Sequence, residues 1–285
     1  MHIVVRVPGS CGELVQGWDE RPFLVTCPVN LYTQVVVSTG EMSRCGMGNK
    51  ACLALERVLA FWGVSCFPYA MELTSELPAG KGMASSSADI AAVCFAAAAA
   101  LGQHLKAARA AAIAASIEPT DGVFFPGIVR MDYMTGELLE SMGDFPELSI
   151  LIFDTGGEID TQRFHQQAGL VDLEKEKCQQ TGQALKMLQS HTPAAIAAAA
   201  TLSALANQLI LPKPQMSELL AYVKEQGALG INTAHSGTVL GVFFAPDVQR
   251  GFLEKMAERI GQRFPAMQFL RAARLVSGGV QIEKR

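Results

Sequence analysis

Glu76-Leu77-Pro78-Ala79-Gly80-Lys81-Gly82-Met83-Ala84-Ser85-Ser86-Ser87-Ala88-Asp89 is the stretch that decides how this chain folds and what it holds. Upstream, Tyr69 to Thr74 reads as a short strand. Downstream, an alanine-rich run from about Ser86 to Leu101 reads as a long helix. Between them lies a turn of small residues, whose backbone can curl and point its N–H groups inward. The helix start adds N–H groups without an intrahelical acceptor and the positive end of the helix dipole. Together these make an anion site suited to a di- or triphosphate. Ser85, Ser86 and Ser87 supply hydroxyls that can donate to phosphate or ligate Mg2+. The plainer alternative is a serine that merely caps a helix after a glycine turn. The order Lys81-Gly82 lacks the G-K-[ST] ending of a P-loop, so any phosphate loop here is of another kind.

Working outward, His2 to Val7 reads as a strand ended by Pro8-Gly9, and Leu31 to Ser38 as a second strand. Asn49 to Trp62 has apolar residues at helical spacing, and Ala107 to Ile117 is a further helix. Strands follow at Ile128 to Tyr133 and Leu148 to Phe153. Asp154-Thr155-Gly156-Gly157 is a turn cluster and the expected junction between a domain over 1–155 and a second over 156–285. Beyond it the pattern predicts helices over Thr161 to Ala168, Leu173 to Leu188, Ala194 to Leu209, Met216 to Glu225 and Val248 to Ile260. Strands are expected at Val239 to Phe244 and from Arg274. The class is α+β.

Composition excludes several functions. Across 285 residues the hydrophobic fraction is 49%, which predicts a packed globule. A net charge of -4 without any lysine–arginine run argues against nucleic-acid binding. The 7 cysteines are irregularly spaced with no C-x-x-C unit, so neither a zinc site nor a disulfide framework is expected, and a reducing cytoplasm fits. Met1 to Val7 is too short for a signal peptide. Ala91 to Leu101 is too short to span a bilayer, and Pro193 to Leu211 is mostly alanine with polar interruptions, so no membrane partner is expected.

Pro78-x-x-x-Gly82-Met83-Ala84-Ser85-Ser86-Ser87-Ala88 resembles the P-x-x-x-G-L-G-S-S-A-A phosphate motif of the GHMP kinases. Met83 stands where that motif has leucine, and Ala84 where it has glycine. Arg6-Val7-Pro8-Gly9-Ser10-Cys11-Gly12-Glu13-Leu14 is similar to the family's first motif. Thr233-Ala234-His235-Ser236-Gly237-Thr238-Val239-Leu240-Gly241 is similar to its third, glycine-rich motif. Pro8 to Gly17, with Glu118-Pro119-Thr120-Asp121-Gly122 and Phe125-Pro126-Gly127, further resembles the L-threonine kinase branch. The resemblance implies two lobes, an N-terminal α/β lobe and a C-terminal ferredoxin-like lobe, with ATP and Mg2+ between them. It implies phosphorylation of L-threonine to O-phospho-L-threonine for the cobalamin nucleotide loop. The alternatives are a kinase for homoserine or another small alcohol, or a catalytically silent ligand sensor of the same fold. A homodimer is admitted as the assembly.

The resemblance assigns ATP to Pro78, Ala79, Gly80, Lys81, Gly82, Met83, Ala84, Ser85, Ser86, Ser87 and Ala88. Lys81 is open between touching a phosphate and standing solvated on the turn. Asp121 is the candidate catalytic carboxylate, which would orient or deprotonate the acceptor hydroxyl; an Asx-turn or cap is the alternative. Ser86 and Glu118 are the candidate Mg2+ ligands, with a solvated helix-end glutamate as the other reading of Glu118. Ser10, Glu13, His235, Ser236 and Gly237 are candidates for substrate, against surface-turn roles for Glu13 and Ser10 and a satisfied loop role for His235. Cys11 lacks a base beside it in sequence, so it is not read as a nucleophile. Arg163, Arg130 and Arg271 are the cations considered for a substrate carboxylate.

Overall fold

The first strand does not stop at Pro8-Gly9. In the computed structural model, which describes residues 1–157 and 169–284, β1 runs His2–Trp18 and its partner β2 runs Pro22–Ser38. The β1–β2 register shifts between Pro8 and Gly9 and again between Ser10 and Glu13. These bulges absorb the proline and kink the strand instead of ending it. The sequence reading cut β1 at Val7 because it treated Pro8-Gly9 as a terminator, and it began β2 at Leu31, where the valine-rich run starts.

The kink lets one strand serve two neighbours on its other edge. Ile3 to Arg6 pair with β11 (Gln281–Lys284), while Glu13 pairs with Thr233 of β8 (Gly230–Thr233). The main path of the sheet is β10-β7-β9-β8-β1-β2-β4-β3. Here β3 is Arg44–Cys45, β4 Ala70–Ser75, β7 Ser149–Asp154, β9 Val239–Phe244 and β10 Gln268–Arg274. A hairpin of β5 (Ile128–Met131) and β6 (Leu138–Gly143) adds to β2. All these pairings are antiparallel except β3 with β4. Hydrogen bonding crosses the expected 155/156 junction in both directions. β7 pairs with β9 and β10, which follow it, and β11 returns to β1.

Helices α1 (Asn49–Phe61), α2 (Ser85–Ala100) and α3 (Ala107–Ala115) pack together, α2 lying on β1 and β2. α2 is apolar all round and buried over most of its length, including Ile90 to Cys94 and Ala96 to Ala98. Its alanines let neighbouring backbones approach closely, which is why so apolar a helix sits inside the protein and not in a bilayer. No described helix is long and apolar enough to cross a membrane. Further along come α4 (Leu170–Glu176), α5 (Cys178–Leu188), α6 (Pro193–Ala206), α7 (Met216–Glu225) and α8 (Arg250–Arg263). The expected helix over Thr161 to Ala168, with Arg163, lies outside the described residues.

The single helix expected over Leu173 to Leu188 is two, broken at Lys177. That residue buries its ammonium 2.9 Å from Glu174 Oε2 and 3.2 Å from Asn207 Oδ1. β7 and β9 are buried along their whole length. Ile150 and Ile152 face the larger core, and Leu151 and Phe153 face a second one formed with α7 and α8.

Candidate functional site

Three loops distant in sequence close together at the mouth of α2. The Ser10 N–H donates to Met83 O (2.9 Å) and the Gly12 N–H to Gly82 O (3.1 Å). The Thr238 and Val239 N–H groups both donate to Lys81 O, at 2.9 and 3.0 Å. A Cβ on Gly82 would lie 2.4 Å from Ala234 Cβ and 2.9 Å from Gly237 Cα, so only glycine allows the contact. Ala84 takes the left-handed conformation (φ 55, ψ 25) that glycine usually supplies, and it is the N-cap of α2. No side chain caps this helix, so the serine-cap alternative does not hold. Ser85, Ser86 and Ser87 form the first turn, where backbone N–H groups lack intrahelical acceptors.

That mouth opens on a cavity of about 790 Å³. The start of α1 (Gly48 to Ala51) forms part of its wall; the α2 turn and the Glu118 to Asp121 segment form more, with Glu13 and Gln16 from β1. Glu118 is buried, not solvated at a helix end: Ser86 Oγ donates to its Oε1, and Lys50 Nζ lies 2.5 Å from its Oε2. Asp121 stands at the N-cap of a short 3-10 turn (Gly122–Phe124), yet its side chain caps nothing. Ser87 Oγ donates to Asp121 Oδ2 (3.3 Å) while accepting from the Asp121 N–H (3.1 Å) and from Thr120 Oγ1 (2.9 Å). Burial pushes the Asp121 carboxyl up to about 8, with repulsion from Glu13 and Glu118 adding and the Ser87 bond opposing.

Behind the wall lies a buried polar relay. Glu13 Oε2 accepts from the His235 backbone N–H and from His235 Nδ1, both at 2.9 Å. Nδ1 also faces Thr233 O at 3.1 Å, so two acceptors fix the proton there, and Nε2 accepts from Ser203 Oγ (3.0 Å). Burial, with Lys177 nearby, pushes His235 well below the usual range, so the ring is neutral. Burial raises Glu13 to about 7, against the His235 bond and the charges of Lys177 and Lys213. Gln16 Nε2 donates to Glu174 Oε1 at 3.3 Å. Burial also pushes the Cys11 thiol up, which agrees with its exclusion as a nucleophile.

The expected site residues divide between the cavity wall and the structure behind it. Lys81 does not reach the cavity; its ammonium is 2.8 Å from Asp154 Oδ2 and bonds Gly157 O at 2.6 Å. Of the proposed substrate residues, Glu13 and Ser236 line the cavity, whereas Ser10, His235 and Gly237 do not. His235 holds Glu13 from behind, Ser10 is buried, and Gly237 is pressed on Gly82. Pro78 and Ala88 also stand off the wall. Arg130 stacks on Phe23 and pairs with Asp19, and Arg271 pairs with Glu76. Sequence reasoning passed over Lys50 and Gln16. A signal for Lys50 existed: a cation in the first turn of α1, unfavourable to the helix dipole and without an acidic neighbour in that turn.

Residues 49–125 match the GHMP kinases N terminal domain. An L-threonine kinase of Citrobacter freundii is 33% identical over 300 residues, covering 98% of this chain and 99% of that one. An L-threonine kinase of Salmonella typhimurium strain LT2 is 33% identical over 296 residues, covering 98% and 95%. The fold matches a galactose-complexed galactokinase of Lactococcus lactis with a TM-score of 0.71, at 11% identity over 98% of this chain and 95% of that one. With a third of its residues shared along almost its whole length and a tightly packed glycine- and serine-rich turn at the mouth of α2, this chain belongs to the GHMP kinases, ATP-using phosphotransferases of small molecules.

Proposed function

We propose that this kinase transfers the γ-phosphoryl group of ATP to the hydroxyl of L-threonine, and that the product serves assembly of the cobalamin nucleotide loop in the cytoplasm. The full-length identity to two L-threonine kinases supports the substrate. The observation that carries the chemistry is Asp121 at the wall of the same cavity as the first turn of α2, fixed there by Ser87. Phosphoryl transfer is mostly positioning and charge neutralisation, and a carboxylate beside the acceptor hydroxyl can orient it and take its proton. The amides of Ser85, Ser86 and Ser87 would hold the phosphates. Glu13 and Gln16 put acceptors at the β1 end of the cavity, which suits an α-ammonium group.

Ser86 Oγ and Glu118 Oε1, in mutual contact on the cavity wall, are hard oxygen donors that fit Mg2+. Among the described residues no group of three or more His, Cys, Asp or Glu could hold a metal alone, in keeping with an ion shared with nucleotide phosphates. Bound there, the ion would neutralise charge on the transferring group. The two halves, 1–155 and 156–285, would act as lobes on either side of the nucleotide, in a homodimer.

The test is ADP release over L-threonine, L-serine, L-homoserine, galactose and mevalonate, with phosphorus NMR of the product. L-Threonine should give the highest kcat/KM. Turnover of L-homoserine without L-threonine would reassign the substrate, and ATP binding without transfer to any alcohol would make the protein a sensor.

A further inference from the structure

The cavity wall carries four carboxylates, Glu13, Asp89, Glu118 and Asp121, and among the described residues one cation, Lys50. A polyphosphate entering such a site needs a cation to meet its charge. Lys81, which the sequence put forward for this task, is held on Asp154. Among the described residues Lys50 is therefore the one cation on the wall, and it is engaged elsewhere: its Nζ lies 2.5 Å from Glu118 Oε2, while Ser86 Oγ donates to the other oxygen of that carboxylate. Glu118 is sealed, with its side chain 4% exposed; the Lys50 side chain is 48% exposed on a flexible stem. One partner of the pair is fixed and the other is free to leave.

We propose that Lys50 is a placeholder for the metal: it neutralises Glu118 in the nucleotide-free enzyme and moves onto the polyphosphate when a divalent cation takes Glu118 and Ser86. This rests on the reading of the cavity as a metal–nucleotide site. A buried carboxylate left without a cation is costly, so the pair offsets the Glu118 charge whenever no metal is bound. The exchange conserves charge. The cation arriving at Glu118 releases an ammonium beside the phosphates, where it makes charge-assisted hydrogen bonds. Without metal, nucleotide can recruit Lys50 only by stripping it from Glu118.

Calorimetric titration of ADP into wild type, Lys50→Met and Lys50→Arg, in EDTA and in excess Mg2+, tests this. Lys50→Met should weaken ADP in EDTA by no more than about threefold, because there Lys50 can be recruited only by stripping Glu118, and in excess Mg2+ about tenfold, the order of one charge-assisted contact, because metal on Glu118 has already released the ammonium. Lys50→Arg should restore most of the binding in excess Mg2+. Mg2+ alone should raise the melting temperature of Lys50→Met more than that of wild type, since it fills the gap at Glu118. An equal loss with and without metal would reduce Lys50 to an ordinary phosphate contact and overturn the exchange. No loss in either condition would make it a solvated surface pair. Wild type that binds ADP in neither condition would instead remove the nucleotide reading of the cavity, and the proposal with it.

Discussion

Asp121 shows what a single residue costs and gives. Its carboxyl is raised to about 8, chiefly by burial and then by Glu13. The unfolded value lies near ~4. The folded protein therefore holds this proton more tightly than the unfolded chain, and the associated stability is present below pH ~4 and lost as pH rises towards 8. Asp121→Asn removes the charge and should raise the melting temperature at pH 9 well above wild type, with a much smaller difference at pH 5, in metal- and nucleotide-free buffer. A difference independent of pH would contradict the burial argument. The same variant should lose about 10²- to 10⁴-fold in kcat. Asp121 was legible because a D-G step in a glycine–proline loop follows a helix. The choice between Lys81 and Lys50 was not, since it depends on Asp154 and Glu118, both far from those lysines in sequence.

At the scale of elements, the decisive object is the turn that launches α2. Gly82 has φ +82 and abuts Gly237 and Ala234. Gly82→Ala should cost at least about 2 kcal/mol, from left-handed strain plus overpacking, and should weaken nucleotide binding in parallel. Ala84→Gly should do the reverse, gaining about 0.5–1 kcal/mol by relieving the strain of φ 55 at the cap, less the entropy of glycine. Urea midpoints of the two variants check both signs. This turn could be read from sequence because small residues before an apolar helix have few other uses. The long strands could not. β1 and β2 contain Pro8 and Pro28, and only the pairing partners reveal that bulges accommodate them. β8 was missed because Gly-Ile-Asn-Thr is too short to show alternation.

For the whole molecule, the α+β class was predictable, but the continuity of its sheet was not. β7 and β9 each send side chains into both cores, so neither core can dissolve without unseating strands of the other. Calorimetry should therefore give one transition, with a van't Hoff to calorimetric enthalpy ratio near ~1. Two resolved transitions would mean that the lobes melt independently. The contact between Glu13 and His235 spans 222 positions. A nascent chain still short of His235 lacks the donor that steadies the Glu13 carboxylate, so competence to recognise an acceptor arrives late in synthesis.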